Sequence, residues 1–111
     1  MNDCLFCKII SGDIPSTKVY EDELCYAFYD IAPMAPKHFL VVPKKHLSSA
    51  AEITEEDAAI VCHIFAVIAQ LTKELEFDGF RVVTNCGEIA GQTVKHLHFH
   101  VLGGKQLGGF N

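Results

Sequence analysis

Apolar and polar positions alternate along this chain with two different periods, and each change of period marks a new element. Cys4-Leu5-Phe6-Cys7-Lys8-Ile9-Ile10 places apolar side chains at 5, 6, 9 and 10. That helical stripe predicts a short helix over residues 4–10, capped by Asp3 and ended by Gly12 and Pro15. Two short strands are expected at 18–21 and 24–30, turned by Glu21-Asp22-Glu23. Pro33 and Pro36 keep residues 32–36 out of any ladder, so they form a loop. Phe39-Leu40-Val41-Val42 is the body of a strong strand at 38–43. Residues 44–53 are a connection with room for one helical turn.

Thr54 then reads as an N-cap, with Glu55, Glu56 and Asp57 in the first turn of a long helix ending near residue 76. Its apolar residues (Ala58, Ala59, Ile60, Val61, Cys62, Ile64, Phe65, Val67, Ile68, Leu71 and Leu75) almost encircle it. A surface helix buried on one side shows a narrower stripe. Cover on two sides is inferred, one side a sheet and the other available to a second subunit. A strand at 79–85, a glycine-containing loop at 86–92 and a last strand at 93–102 follow. The glycine-rich tail is expected to be loose unless something docks on it. Strands, one long helix, then strands give an α+β fold with a mostly antiparallel sheet.

At 111 residues and 12.3 kDa, residues 1–111 make one domain. Half of the residues are hydrophobic, which excludes a wholly disordered chain. The formal charge is −5 and no basic tract stands out, so nucleic-acid binding is not expected. No apolar run is long enough to span a bilayer and no secretion signal opens the sequence, so a soluble, cytoplasmic protein is expected. In that reducing setting the five cysteines read as thiols or metal ligands. Cys25 and Cys62 look like core, and His63, inside the long helix, looks structural.

The chemistry is concentrated in His96-Leu97-His98-Phe99-His100. On a strand the three imidazoles would share one face, and Leu97, Phe99 and Val101 the other. The bland alternative is a polar strand face or an adventitious metal site. Just upstream, Asn85-Cys86-Gly87 and Gly91-Gln92-Thr93 bracket a loop suited to approach an anion, although most such loops are only turns. Neutral imidazole is a good nucleophile and, once protonated, a good leaving group, so a covalent phosphoryl-type intermediate is within reach. His98, in the middle, is the best flanked. Cys4-x-x-Cys7 has metal-ligand spacing; the alternative is two buried thiols.

The run from Gly91 to Leu102 resembles the signature of the histidine-triad (HIT) family. Phe6 with Lys8-Ile9-Ile10, Phe28-x-Asp30-Ile31, His38-Phe39-Leu40-Val41 and Pro43-Lys44-Lys45-His46 extend the likeness over nearly the whole chain. The ending Val101-Leu102-Gly103-Gly104 resembles the branch that hydrolyses purine nucleoside phosphoramidates. The resemblance implies a homodimer joined through the long helix and a strand, with one continuous sheet. It implies that His98 attacks the α-phosphorus of a purine nucleotide conjugate and is nucleotidylated, water then releasing the nucleotide. His100 and His38 would orient imidazole and phosphate. Asn85, Gly91, Gln92 and Thr93 would hold the phosphate or help the leaving group. Asp30 would hold the ribose, or serve only as a turn former. Leu5, Phe6, Ile9, Phe28 and Ile31 would wall the base, or be plain core.

The resemblance also implies a structural zinc on Cys4, Cys7, His46 and His96, which makes His96 a ligand and not a catalyst. The chain departs from the branch at Thr93, where serine is usual, and in having Phe110 and no tryptophan near the C-terminus. Two other functions stay open at this point. One is a dinucleoside polyphosphate hydrolase or nucleotidyltransferase. The other is a non-catalytic adaptor that binds zinc and nucleotide.

Overall fold

The computed structural model describes residues 4–109. Helix α1 (Leu5–Ser11) leads into strands β1 (Lys18–Glu21), β2 (Cys25–Tyr29) and β3 (Lys37–Pro43). Two 3-10 turns, Ala50–Glu52 and Glu55–Asp57, precede helix α2 (Ala58–Glu74). Strand β4 (Phe80–Val83), a third 3-10 turn (Glu88–Ala90) and strand β5 (Phe99–Gly103) complete the chain. The sheet is antiparallel throughout, in the order β1-β2-β3-β5-β4. Among the described residues, no helix is long and apolar enough to cross a membrane.

The period-2 pattern explains why β3 reads as an unbroken apolar run: it is buried on both faces. Phe39 and Val41 join Cys25, Ala27, Phe99 and Val101 in a core closed by Ile64, Val67, Ile68 and Leu71 of α2. Leu40 and Val42 face the other way, with Tyr26 and Phe28, and are covered by Phe6 and Ile9 of α1. His38 and His100 sit on this second face, since His38 opposes Leu102 and Leu40 opposes His100 across the β3–β5 ladder. The α1 side of the sheet is therefore where chemistry can occur, and the α2 side is where the main core lies.

Several expectations are corrected. The last strand covers only Phe99–Gly103, not 93–102. Residues upstream leave the ladder because their polar groups find other partners: Leu97 N donates to Leu47 O (2.6 Å) and the His96 ring to Pro43 O (2.8 Å). The long helix begins after a 3-10 turn at which the Asp57 carboxylate, not a helical first turn, accepts from Thr54 N and from Lys45 Nζ. The expected cap Asp3 lies outside the described residues; Cys4 Sγ itself accepts from Cys7 N (3.3 Å) at the start of α1. Cys62 is exposed on α2 and is not core, whereas Cys25 is fully buried. Burial first, then the Asp22 charge, pushes the Cys25 thiol up to about 12, so it stays neutral packing.

His63 is structural as expected, through an ion pair: its Nε2 lies 2.6 Å from Asp22 Oδ2. Burial pushes the Asp22 carboxyl up, but His63, Tyr20 and the Leu24 and Cys25 amides outweigh it and hold the group far below its usual range. The β1–β2 turn is thereby tied to α2.

The tail begins as structure. Gly103 is buried in β5, and a Cβ there would lie 2.6 Å from the Phe77 ring and 2.8 Å from Gly79 O. Gly104 takes φ +91 against Pro36 and Lys37, a conformation glycine alone adopts without strain. Arg81 Nη2 donates to Gly108 O (2.7 Å), which ties the tail at Gly108 to β4. Gly103→Ala should destabilise the fold by about 1–3 kcal/mol, because a backbone oxygen cannot move aside as a side chain can. Urea unfolding reads this directly, and a midpoint equal to that of the parent protein would refute it.

Candidate active site and metal centre

On the α1 face a cavity of about 400 Å³ opens, within the size range of small-molecule sites. It is lined by Leu5, Phe6 and Ile9 of α1, by Ile14, Pro15 and Ser16, and by Phe28, Tyr29, Asp30, Ile31, Met34 and Leu40. Asn85, Gly91, Thr93, Val94, His98 and His100 close it. A hollow of about 490 Å³ along Phe80, Arg81 and Lys105 contains none of the histidines or the cysteine pair, so the chemistry belongs to the first. Phe6 and Phe28 meet edge to face at 5.5 Å and form one apolar wall of the cavity. No lysine or arginine is among the lining residues.

The histidines are ordered by a simple rule: a peptide carbonyl only accepts, so the ring nitrogen facing it carries the hydrogen. His98 Nδ1 lies 2.7 Å from His96 O, which makes Nδ1 the donor and leaves Nε2 a bare lone pair. That Nε2 has no hydrogen-bond partner among the described residues. His98 is only 5% exposed, with the Phe6 ring edge-on at 5.0 Å, yet the ring lines the cavity. The imidazole is thus reached through the cavity, not across an open strand face. The hydroxyl of Thr84 donates to His98 O (2.7 Å) and holds the backbone where the ladder has ended.

The same reasoning orients the other two. Met34 N donates to His38 Nδ1 (3.1 Å), so His38 Nε2 carries the hydrogen and donates to His100 Nδ1 (3.0 Å). His100 Nε2–H is then left as a donor. His38 is almost fully buried, which removes the possibility that it is merely exposed. Burial lowers the basicity of His38 and His98. His100 falls to about 4, by burial first and then by its neighbours His98 and His38. All three are therefore neutral near pH 7, as a nucleophile and its neutral donors need to be.

Asp30 forms the turn and also lines the cavity. Its Oδ1 accepts from Ala32 N (2.8 Å), the turn-forming role, and its Oδ2 lies 3.5 Å from His38 Nε2 while the residue lines the cavity. Ile31 is wholly exposed at the cavity rim, and Leu5 is partly exposed. The loop differs from expectation. Gly87 N donates to Gln92 Oε1, Gln92 Nε2 donates to Ser48 O and Val94 O, and Ala90, Gly91 and Gln92 direct their N–H groups within the loop. Gln92 is buried and shapes the loop without lining the cavity. Asn85, Thr93 and Gly91 do line it.

Beyond the opposite edge of the Phe6 ring, Cys4, Cys7, His46 and His96 bring their ligand atoms within 4.8 Å of one another. His96 Nδ1 lies 3.2 Å from Cys4 Sγ, 3.5 Å from Cys7 Sγ and 3.1 Å from His46 Nδ1, and Cys7 Sγ lies 3.4 Å from His46 Nδ1. Metal–ligand bonds of about 2.0–2.3 Å in a tetrahedron require edges of roughly 3.3–3.8 Å, which these separations approach from just below. His96 Nε2–H faces Pro43 O, so its Nδ1 is necessarily a lone pair aimed into the cluster. That second partner of a ligand imidazole is the usual companion of a metal site. The cluster fits a metal ion.

Ser16, Tyr29, Met34 and Thr84 were missed by sequence reasoning. They carry no motif, and only the folding together of distant segments brings them to the site. Comparison with known proteins is consistent with this geometry. A family model described as HIT domain matches residues 11–107. The chain is similar to a histidine triad protein from Clostridium difficile: 54% identity, TM-score 0.95, covering 100% of this chain and 98% of that one. It is similar to a HIT family hydrolase from Clostridium thermocellum: 45% identity, TM-score 0.94, covering 99% and 97%. An uncharacterized HIT-like protein from Synechococcus elongatus is 45% identical over 106 residues, 95% of this chain and 93% of that protein.

Proposed function

The chain belongs to the HIT domain family, and from that premise we propose that it hydrolyses purine nucleoside phosphoramidates or related nucleotide conjugates through a nucleotidyl-histidine. One observation carries the reading: a neutral imidazole, fixed with Nε2 bare, lining an apolar cavity that has no cation of its own. The hydrolase named among the similar structures supports the reaction class.

In this mechanism the purine packs on the apolar wall made by Leu5, Phe6, Ile9, Phe28 and Ile31, and Asp30 takes the ribose hydroxyls. His98 Nε2 attacks the α-phosphorus and the bond from phosphorus to the leaving nitrogen breaks; the nitrogen takes a proton from water and departs as the amine. The positive charge on the phosphorylated ring is held through Nδ1–H by His96 O. His100 Nε2–H, kept as a donor by His38, binds a non-bridging oxygen, with Asn85 and Thr93 on the others. Water then attacks phosphorus, the bond to His98 Nε2 breaks, and the nucleoside monophosphate leaves with a proton lost to solvent. Gln92 acts by holding the loop that presents Asn85 and Thr93.

The charge of the cavity favours a phosphoramidate over a polyphosphate. A conjugate with one phosphate negative charge can be held by neutral donors. A dinucleoside polyphosphate would bring several charges against Asp30 with no lysine or arginine to meet them. Steady-state comparison should give kcat/KM about 100-fold higher or more for adenosine 5′-phosphoramidate than for a dinucleoside tetraphosphate. An acid-labile adduct on His98 should be trapped on rapid quenching. The reverse preference would favour the polyphosphate reading, and no adduct with no turnover would favour the adaptor.

The thiolate and imidazole donors of the cluster suit zinc, which would supply a closed structural tie and no chemistry of its own. A homodimer is proposed on the exposed apolar stripe of α2, Ala58, Cys62, Phe65 and Ala69, and on β4, the last strand in the sheet order. Both features need cover.

A further inference from the structure

We propose that Cys4 and Cys7 are positioning residues for nucleotide binding: the metal ion they share with His46 and His96 fixes α1 as a wall of the cavity, and its loss weakens nucleotide affinity while sparing the chemical step. This rests on the nucleotide and metal readings above.

Helix α1 has seven residues. Isolated helices shorter than about 12–15 residues do not persist in water, so α1 depends on what holds it. Both thiols sit at its N-terminal end, and Cys4 Sγ is also its cap, accepting from Cys7 N. Between them, Phe6 packs edge-on against His98 at 5.0 Å and His96 at 6.1 Å. Leu5, Phe6 and Ile9 line the cavity. Apart from the cluster, α1 is anchored by the burial of Phe6 and Ile9 and the partial burial of Ile10 against the sheet.

The nucleophile is secured differently. His96 Nε2 donates to Pro43 O, Leu97 N to Leu47 O and Thr84 Oγ1 to His98 O. None of these bonds involves a thiol, and all three are made to backbone groups, although His96 is itself one of the four ligands. His98 Nδ1 is oriented by a backbone carbonyl that they hold in place. Removal of the ion therefore frees the wall contributed by α1, while the bonds to Pro43, Leu47 and Thr84 still hold the backbone from His96 to His98. A wall that must be ordered during binding lowers affinity by the cost of ordering it.

The test uses the full chain, loaded with zinc or stripped with a chelator, with metal content measured on each sample. Binding of adenosine monophosphate is followed by calorimetry, kcat and KM with a phosphoramidate, and amide exchange of Lys8 and Ile9 against Val101. The stripped protein should bind the nucleotide about tenfold more weakly or worse, with KM raised in proportion and kcat within about threefold. Lys8 and Ile9 should exchange faster while Val101 does not change. Cys4→Ser keeps an oxygen able to cap the helix but loses the thiolate; it should behave as the stripped protein even with zinc supplied. Zinc bound with nucleotide affinity within twofold of the stripped form overturns this inference alone, as does a fall in kcat with affinity unchanged. A chain that takes up no zinc overturns the metal reading along with it, and one that binds no nucleotide in either form overturns the cavity reading along with it.

Discussion

His98→Asn should reduce kcat for a nucleoside phosphoramidate by about 10⁴-fold or more, with adenosine monophosphate bound within about threefold of the parent protein. The asparagine amide can still donate to His96 O in place of Nδ1–H, so the loop and the backbone at 98 keep their support. What disappears is the atom at Nε2, and with it the covalent route. A 10⁴-fold loss is about 5.5 kcal/mol of transition-state free energy, far beyond what a disturbed contact in the wall would cause. Rapid-quench trapping should find no adduct on the variant. Hydrolysis retained within tenfold would show that another group attacks phosphorus and would end the covalent reading. The separation of turnover from binding is the informative part, since a variant that lost both would report only a collapsed cavity.

His100 should contribute about 2–3 kcal/mol to the loss of stability between pH 7 and pH 4.5, a contribution that His100→Asn should remove while the other buried histidines keep theirs. The sign follows from where the proton goes. His100 has its folded-state basicity depressed to about 4, by burial and by His98 and His38, with Asp30 acting weakly in the other direction. In the unfolded chain the ring titrates near 6.5. Above that pH neither state binds the proton and the folded state keeps its full stability. As pH falls from about 6.5 toward 4, the unfolded chain gains the proton and the folded one does not, so stability is lost through that window. Asparagine at 100 offers an oxygen near Nδ1 for His38 Nε2–H and cannot be protonated there. Urea unfolding of both proteins across this range, with zinc in excess, isolates the contribution of His100. Parallel pH profiles for the two would refute it.

Much of the site was legible because the relevant residues follow rules that hold locally. Leu97, Phe99 and Val101 enter the main core as alternation requires, which turns His96, His98 and His100 together to the other side. The expected strand over 93–98 does not form and the backbone bends at 94–96, yet Leu97, Phe99 and Val101 still enter the core on alternate positions. Cys4-x-x-Cys7 and its distant histidines converge as the family resemblance implied. Gln92 shows what sequence leaves out: its amide looks like a phosphate ligand, but in the fold both Nε2 hydrogens go to backbone carbonyls and Oε1 accepts from Gly87 N. Cys62 was misjudged because apolar residues all round a helix do not say which side faces the sheet.

The chain's own pattern was enough for the order and type of most elements, the shared side of the three imidazoles and, through the family resemblance, the candidate metal ligands. These are consequences of short-range periodicity and of residue chemistry, which every segment carries with it. Only the tertiary structure decided which nitrogen of each histidine bears a hydrogen. Those choices depend on carbonyls and amides, of Pro43, His96 and Met34, that meet the rings only when the chain has folded. The same is true of the cavity without a cation and of α1 standing between metal ligands and nucleophile: both are relations among segments far apart in the chain, and no local pattern encodes them.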